Sequence, residues 1–112
     1  MKRGEIWTVA AGSGYGAKPR PCVIIQDDAY AQTDSVTIAP CTTDETPADF
    51  RTLLEPSEAN GLRQATRVMV DKVITVQRTK LGERLGELAA DELTELNRAL
   101  LVFLGLTAAN VR

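Results

Sequence analysis

A chain of 112 residues, 44% of them hydrophobic, has apolar content for one core and too little length for two, so residues 1–112 are expected to form a single domain. A net charge of −2 excludes a protein that coats nucleic acid through bulk electrostatics, though not one with a local basic groove. With no histidine and two cysteines the sequence lacks the donors of a structural zinc shell, and no run approaches the roughly 20 apolar residues of a membrane-spanning helix.

Glu5 stands where a signal peptide would need its apolar stretch, and the expectation is therefore a soluble cytoplasmic protein without metal or cofactor. Any catalysis must draw on Arg, Lys, Asp, Glu, Ser, Thr, Tyr or Cys, because the commonest general acid and base is missing.

In chain order, "EIWTVA" (5–10), "PCVIIQ" (21–26), "SVTIAP" (35–40), "FRTLLE" (50–55), "TRVMVDKVITV" (66–76) and "RLGEL" (84–88) read as strands, rich in Val, Ile, Thr and aromatics. The period then changes. In "AADELTELNRALLVFLGL", Leu93, Leu96, Leu100, Phe103 and Leu104 fall on one helical face, Asp91 and Glu92 suit the first-turn dipole, and Gly105 is a plausible stop. The fold class is mainly β with a C-terminal helix (α+β): a small, curled, mostly antiparallel sheet capped by the helix. The longest irregular pieces, 11–19 and 42–49, are the loops on which function is expected.

Within "AKPRPCVIIQDD", Arg20 lies between Pro19 and Pro21, which stiffen the backbone on both sides as the chain enters a strand. Either its direction matters or it is a solvated residue at a strand edge guarded by prolines. In "IAPCTT", Thr42 and Thr43 follow Pro40 where a strand ends, as turn-formers or as hydroxyls offered to a ligand. Cys22 and Cys41 lie in apolar runs and are expected to be buried, reduced neighbours in the sheet.

Taken together and in order, "KRGEIW", the Gly-rich loop, "RPCVII", "APCTT", "VMVDKVITV", "RLGEL" and the final helix resemble the MazF/PemK family of toxin endoribonucleases. The resemblance runs from Lys2 to about Leu106 and implies an SH3-like, curled antiparallel β-barrel of the PemK/CcdB type, assembled as a homodimer. It also implies metal-independent cleavage of single-stranded mRNA by 2′-hydroxyl attack, leaving 2′,3′-cyclic phosphate and 5′-hydroxyl ends, and a cognate antitoxin protein. The family's arginine and hydroxyl pair falls on Arg20 and Thr42, and its acidic position on Asp71, a candidate base. Met69 stands where relatives carry a second arginine.

Candidate RNA-binding residues are Tyr15, Lys18, Thr43, Arg78 and Lys80, whereas Trp7 fits core packing better than base stacking. The alternatives are a CcdB-like gyrase poison, which depends on a tryptophan near its C-terminus where this chain has "LTAANVR", and an inactive SH3-like interaction module.

Overall fold

Seven strands and a helix follow one another in a computed structural model that describes residues 1–10 and 18–107: β1 (Glu5–Ala10), β2 (Pro19–Ile24), β3 (Ser35–Thr42), β4 (Arg51–Leu54), β5 (Thr66–Met69), β6 (Ile74–Gln77), β7 (Leu81–Glu87) and α1 (Ala90–Phe103). All the pairings are antiparallel, in the spatial order β4-β5-β3-β2-β1-β7, with β6 also paired to β3. Among the described residues β4 and β7 do not pair with each other. The sheet curls without closing, so it is a looser object than the barrel expected from the sequence.

The long run expected as one strand over 66–76 is broken. Between Ile38 and Cys41 β3 advances three residues while its partner chain runs from Ile74 back to Val68, and the surplus is a 3-10 turn at Val70–Lys72. β3 thus pairs with β6 along its first half and β5 at its end, and the sheet bends there.

Strand alternation splits the buried side chains into two clusters on opposite faces. Ile6, Val23, Ala39, Cys41, Leu54, Val68 and Val70 join Leu96 and Ala99 of α1 on one face. Val9, Cys22, Ile24, Val36, Ile38 and Leu81 form the second cluster, with Trp7 and Val76 packed against it. Trp7 therefore serves packing, and its indole N–H donates to Glu5. Cys22 and Cys41 are free and buried, as expected, but they point to opposite faces. Burial pushes the Cys22 thiol up to about 12, and raises Cys41 further still.

The opening "KRGEIW" is structural. Arg3 donates to the Ile25 carbonyl and to Asn97 of α1, which ties the N-terminus to the sheet and the helix. Glu5 accepts from the Lys2 backbone N–H, the Trp7 indole and Arg84. Burial alone would raise its carboxyl, but these donors outweigh that and hold it at about 2.

At the helix N-terminus Glu92 accepts the Ala89 N–H at 2.8 Å. At the other end Gly105 takes φ +72°, and the N–H groups of Gly105 and Leu106 bond the Val102 and Leu101 carbonyls. This is a Schellman closure, which a residue with a Cβ would strain. Leu96 and Ala99 are buried, Leu93 and Leu100 partly so, while Phe103 rests against Phe50 and Leu104 stays exposed.

Candidate active site

Proline sets where the site opens. The β2–β3 ladder ends at the pair Cys22 and Pro40, and Pro21 and Pro40 have no backbone N–H with which to extend it. β2 lies inside the sheet, between β1 and β3, so these prolines do not guard an outer edge. They end a ladder in its interior. Just past that end, the same register carries Arg20 and Thr42 to facing positions. Alternation from Cys22 and Ile38 puts both on the face of the second cluster.

The two strands border a cleft of about 480 Å³ whose lining includes Arg20, Thr42, Thr43, Ile38, Met69 and Ile74. Its floor is apolar and its rim carries the guanidinium and the two hydroxyls. Arg20 and Thr43 are exposed and Thr42 is half-buried. The Thr42 hydroxyl accepts the Asp44 backbone N–H at 3.1 Å, which leaves its own proton free to donate outward. Asp44 accepts from the Thr46 N–H and hydroxyl at 2.9 and 2.7 Å, which hold its carboxyl low with help from nearby Arg51 and Arg67. One charge of the acidic 42–49 loop is thereby folded into the loop itself.

The remaining sequence candidates divide. Lys18 is exposed two residues before Arg20, and Lys80 is exposed just before Leu81, which pairs with Val9, the β1 partner of Arg20. Both stand at the sheet end that bears the cleft. Arg78 does not join them: its guanidinium donates to the Thr33 carbonyl, beside a separate hollow that Gln32, Thr33 and Gln77 also line. Tyr15 lies outside the described residues.

Asp71 sits on the 3-10 turn next to the cleft, and Arg51 donates to its two oxygens at 3.2 and 3.0 Å. That pairing holds the Asp71 carboxyl below its ordinary value against the opposing effect of burial. Arg51 and Arg67 did not stand out in the sequence. Both project to the Thr42 face, and the signal that locates them is register: Arg67 pairs with Thr42, and Arg51 with Met69. No sequence pattern announced it, because the register depends on the 3-10 turn.

Among the described residues no three His, Cys, Asp or Glu side chains gather as a metal-binding group, and no helix is long and apolar enough to cross a membrane. The site is a guanidinium and a hydroxyl held over an apolar floor on a small curled sheet, the equipment of a protein that handles phosphate esters. The description "PemK-like, MazF-like toxin of type II toxin-antitoxin system" matches residues 2–104, and the chain belongs to this family of endoribonucleases.

A probable endoribonuclease MazF of Mycolicibacterium smegmatis is 49% identical over 107 residues, which cover 95% of this chain and 98% of that one. Endoribonuclease MazF9 of Mycobacterium tuberculosis is 27% identical, with 95% and 98% covered. Among solved structures, an endoribonuclease in complex with its cognate antitoxin from a mycobacterial species superposes with a TM-score of 0.79 at 28% identity, covering 96% of this chain and 97% of that one. A MazE–MazF structure from Deinococcus radiodurans gives the same TM-score at 23% identity, with 96% and 98% covered, and speaks for the fold alone.

Proposed function

We propose that this chain is the toxin of a cytoplasmic toxin–antitoxin pair and cuts single-stranded mRNA at short sequences without a metal ion. The observation that carries this reading is the alignment of Arg20 with Thr42 on one open face, at the point where the β2–β3 ladder stops. In this reaction the RNA's own 2′-hydroxyl gives up its proton to water and attacks the adjacent phosphorus, charge builds on the phosphorane oxygens, and the 5′-oxygen departs, taking a proton from water to become the 5′-hydroxyl. Arg20 meets that charge with paired donors, and Thr42 adds a hydroxyl proton that its bond from Asp44 leaves available. The stiff Pro19–Arg20–Pro21 backbone limits reorganisation as charge develops. Thr43, Lys18 and Lys80 hold the flanking RNA.

Asp71 was a candidate base, but its bidentate bond from Arg51 makes it a poor proton acceptor. In this reading it braces Arg51. Assembly as a homodimer is supported by exposed apolar side chains at the end of α1, Leu101 and Val102, and just past it, Leu106. A cognate antitoxin would regulate the toxin by covering the groove, in keeping with the antitoxin-bound mycobacterial relative.

The test is cleavage of a long single-stranded RNA in EDTA. Cutting should persist, leave 2′,3′-cyclic phosphate and 5′-hydroxyl ends, spare DNA of the same sequence, and stop when the nucleotide 5′ to the cut carries a 2′-O-methyl group. A methylated substrate that is still cut defeats the reading.

A further inference from the structure

One charged side chain on the cleft face for which this reaction has no task is Arg67. On β5 it pairs with Thr42 on one side and Leu53 on the other. Its neighbours Thr66 and Val68 are buried and Val68 packs into the helix-covered cluster, so Arg67 and Met69 project the other way, and Met69 lines the cleft. Arg20, Thr42 and Arg67 therefore form a row across the adjacent strands β2, β3 and β5. The hydroxyl stands between two cations, whose backbones are about 10 Å apart, two strand spacings.

Three of the other arginines are committed to carboxylates: Arg51 to Asp71, Arg84 to Glu5, and Arg98 to Glu95. Arg67 instead makes one long bond, 3.4 Å, to the Asp44 carbonyl, while the nearby Asp44 carboxylate is taken up by Thr46. Arg67 is half-buried as a residue, and its guanidinium on so weak and exposed a tether can turn to a ligand at little cost. Two cations flanking a hydroxyl suit a polyanion laid across the strands better than a single small anion.

We propose that Arg67 grips the RNA phosphate next to the one that Arg20 and Thr42 engage, so that the strand crosses the sheet from β2 toward β5. This rests on the nuclease reading. It makes Arg67 a binding residue with no part in the bond changes.

Binding is measured by fluorescence anisotropy with a mixed-sequence, fully 2′-O-methylated RNA 12-mer, which the proposed reaction cannot cut. Arg67→Gln should weaken binding about tenfold at low salt and lower the slope of log K against log salt by about 0.7, the loss of one phosphate contact to a single strand. On cleavable RNA it should raise KM while kcat stays within about twofold, and Arg67→Lys should restore the salt slope. If Arg67 only tethers the 42–49 loop, the slope will not move, and an unchanged slope and affinity overturn the proposal.

Should Arg67→Gln fail to fold, a dicarbonyl footprint on the unaltered protein decides instead. The bound 12-mer should shield Arg67 and Arg20 from modification and leave Arg98 open; an unshielded Arg67 overturns the assignment. A protein that binds the 12-mer through Arg67 but leaves ordinary RNA intact overturns the nuclease reading alone, and one that does not bind the 12-mer overturns the proposal.

Discussion

The two faces of this sheet are built from the same strands, and they differ in what covers them. On one, α1 lies over Leu54, Val68 and Val70 and buries Leu96 completely. On the other, the apolar cluster runs out toward the Arg20–Thr42 end, where no helix among the described residues covers it and two prolines end the ladder. Sequence alternation supplies both faces at once, so residues one position apart serve different ends: Cys41 packs under the helix, and Thr42 faces the cleft. Both clusters are buried, but only the first is packed against α1, and the exposed cations at the cleft end of the other contribute little to folding.

The comparison is broken most sharply at Arg20. Arg20→Ala should lower the cleavage rate by about 10³-fold, some 4 kcal/mol of transition-state stabilisation, while thermal stability changes by less than about 1 kcal/mol. Single-turnover kinetics beside a melting curve read both. A folded Arg20→Ala protein that cuts at full rate would take Arg20 out of the site.

The reverse pattern belongs to the covered face. Leu96→Ala removes a fully buried side chain and should cost about 2–5 kcal/mol by denaturant titration, with kcat per folded molecule unchanged. A large loss of kcat in the folded fraction would mean that the two faces are coupled.

Glu5 sharpens the contrast through pH. Its carboxyl is held at about 2, against an ordinary value of 4.5, so its contribution is complete above pH 4.5 and disappears as pH falls through 2. Glu5→Gln should therefore cost about 1–3 kcal/mol at neutral pH, and the gap from the unaltered protein should narrow between pH 4.5 and 2. A gap that stays constant with pH would assign the loss to packing around Trp7.

Most of the covered face was legible in the sequence. Val, Ile and Leu at period two, then at helical spacing, located β1 to within its own residues and α1 through its leucines and Gly105. The open face was legible only in part. Pro19, Pro21 and Pro40 flagged Arg20 and Thr42 because their backbone constraints are local. Arg51 and Arg67 were invisible because their place depends on the three-residue turn that shifts register between β5 and β6. Arg78 shows the complementary limit: from the sequence a basic residue near a strand end reads as available, and only the fold shows its guanidinium donating to a distant carbonyl, that of Thr33.

The smallest expected effect lies at the boundary of the two faces, at Asp71, which follows buried Val70 and pairs with Arg51 on the open side. Both side chains of that pair keep some exposure, 16% for Arg51 and 18% for Asp71, so it lies between a surface contact and a buried ion pair. Asp71→Asn keeps a carbonyl oxygen for one Arg51 bond and should cost about 1 kcal/mol. Because Arg51 holds the carboxyl below its ordinary range, Asp71 stays ionised across the working pH range and cannot generate an acid limb in the rate there. The variant should then cut RNA within a few-fold of the normal rate, with the acid side of its pH–rate profile unmoved. A profile that flattens on the acid side, with the fold intact, would make Asp71 the proton acceptor and require Arg51 to release it when RNA binds.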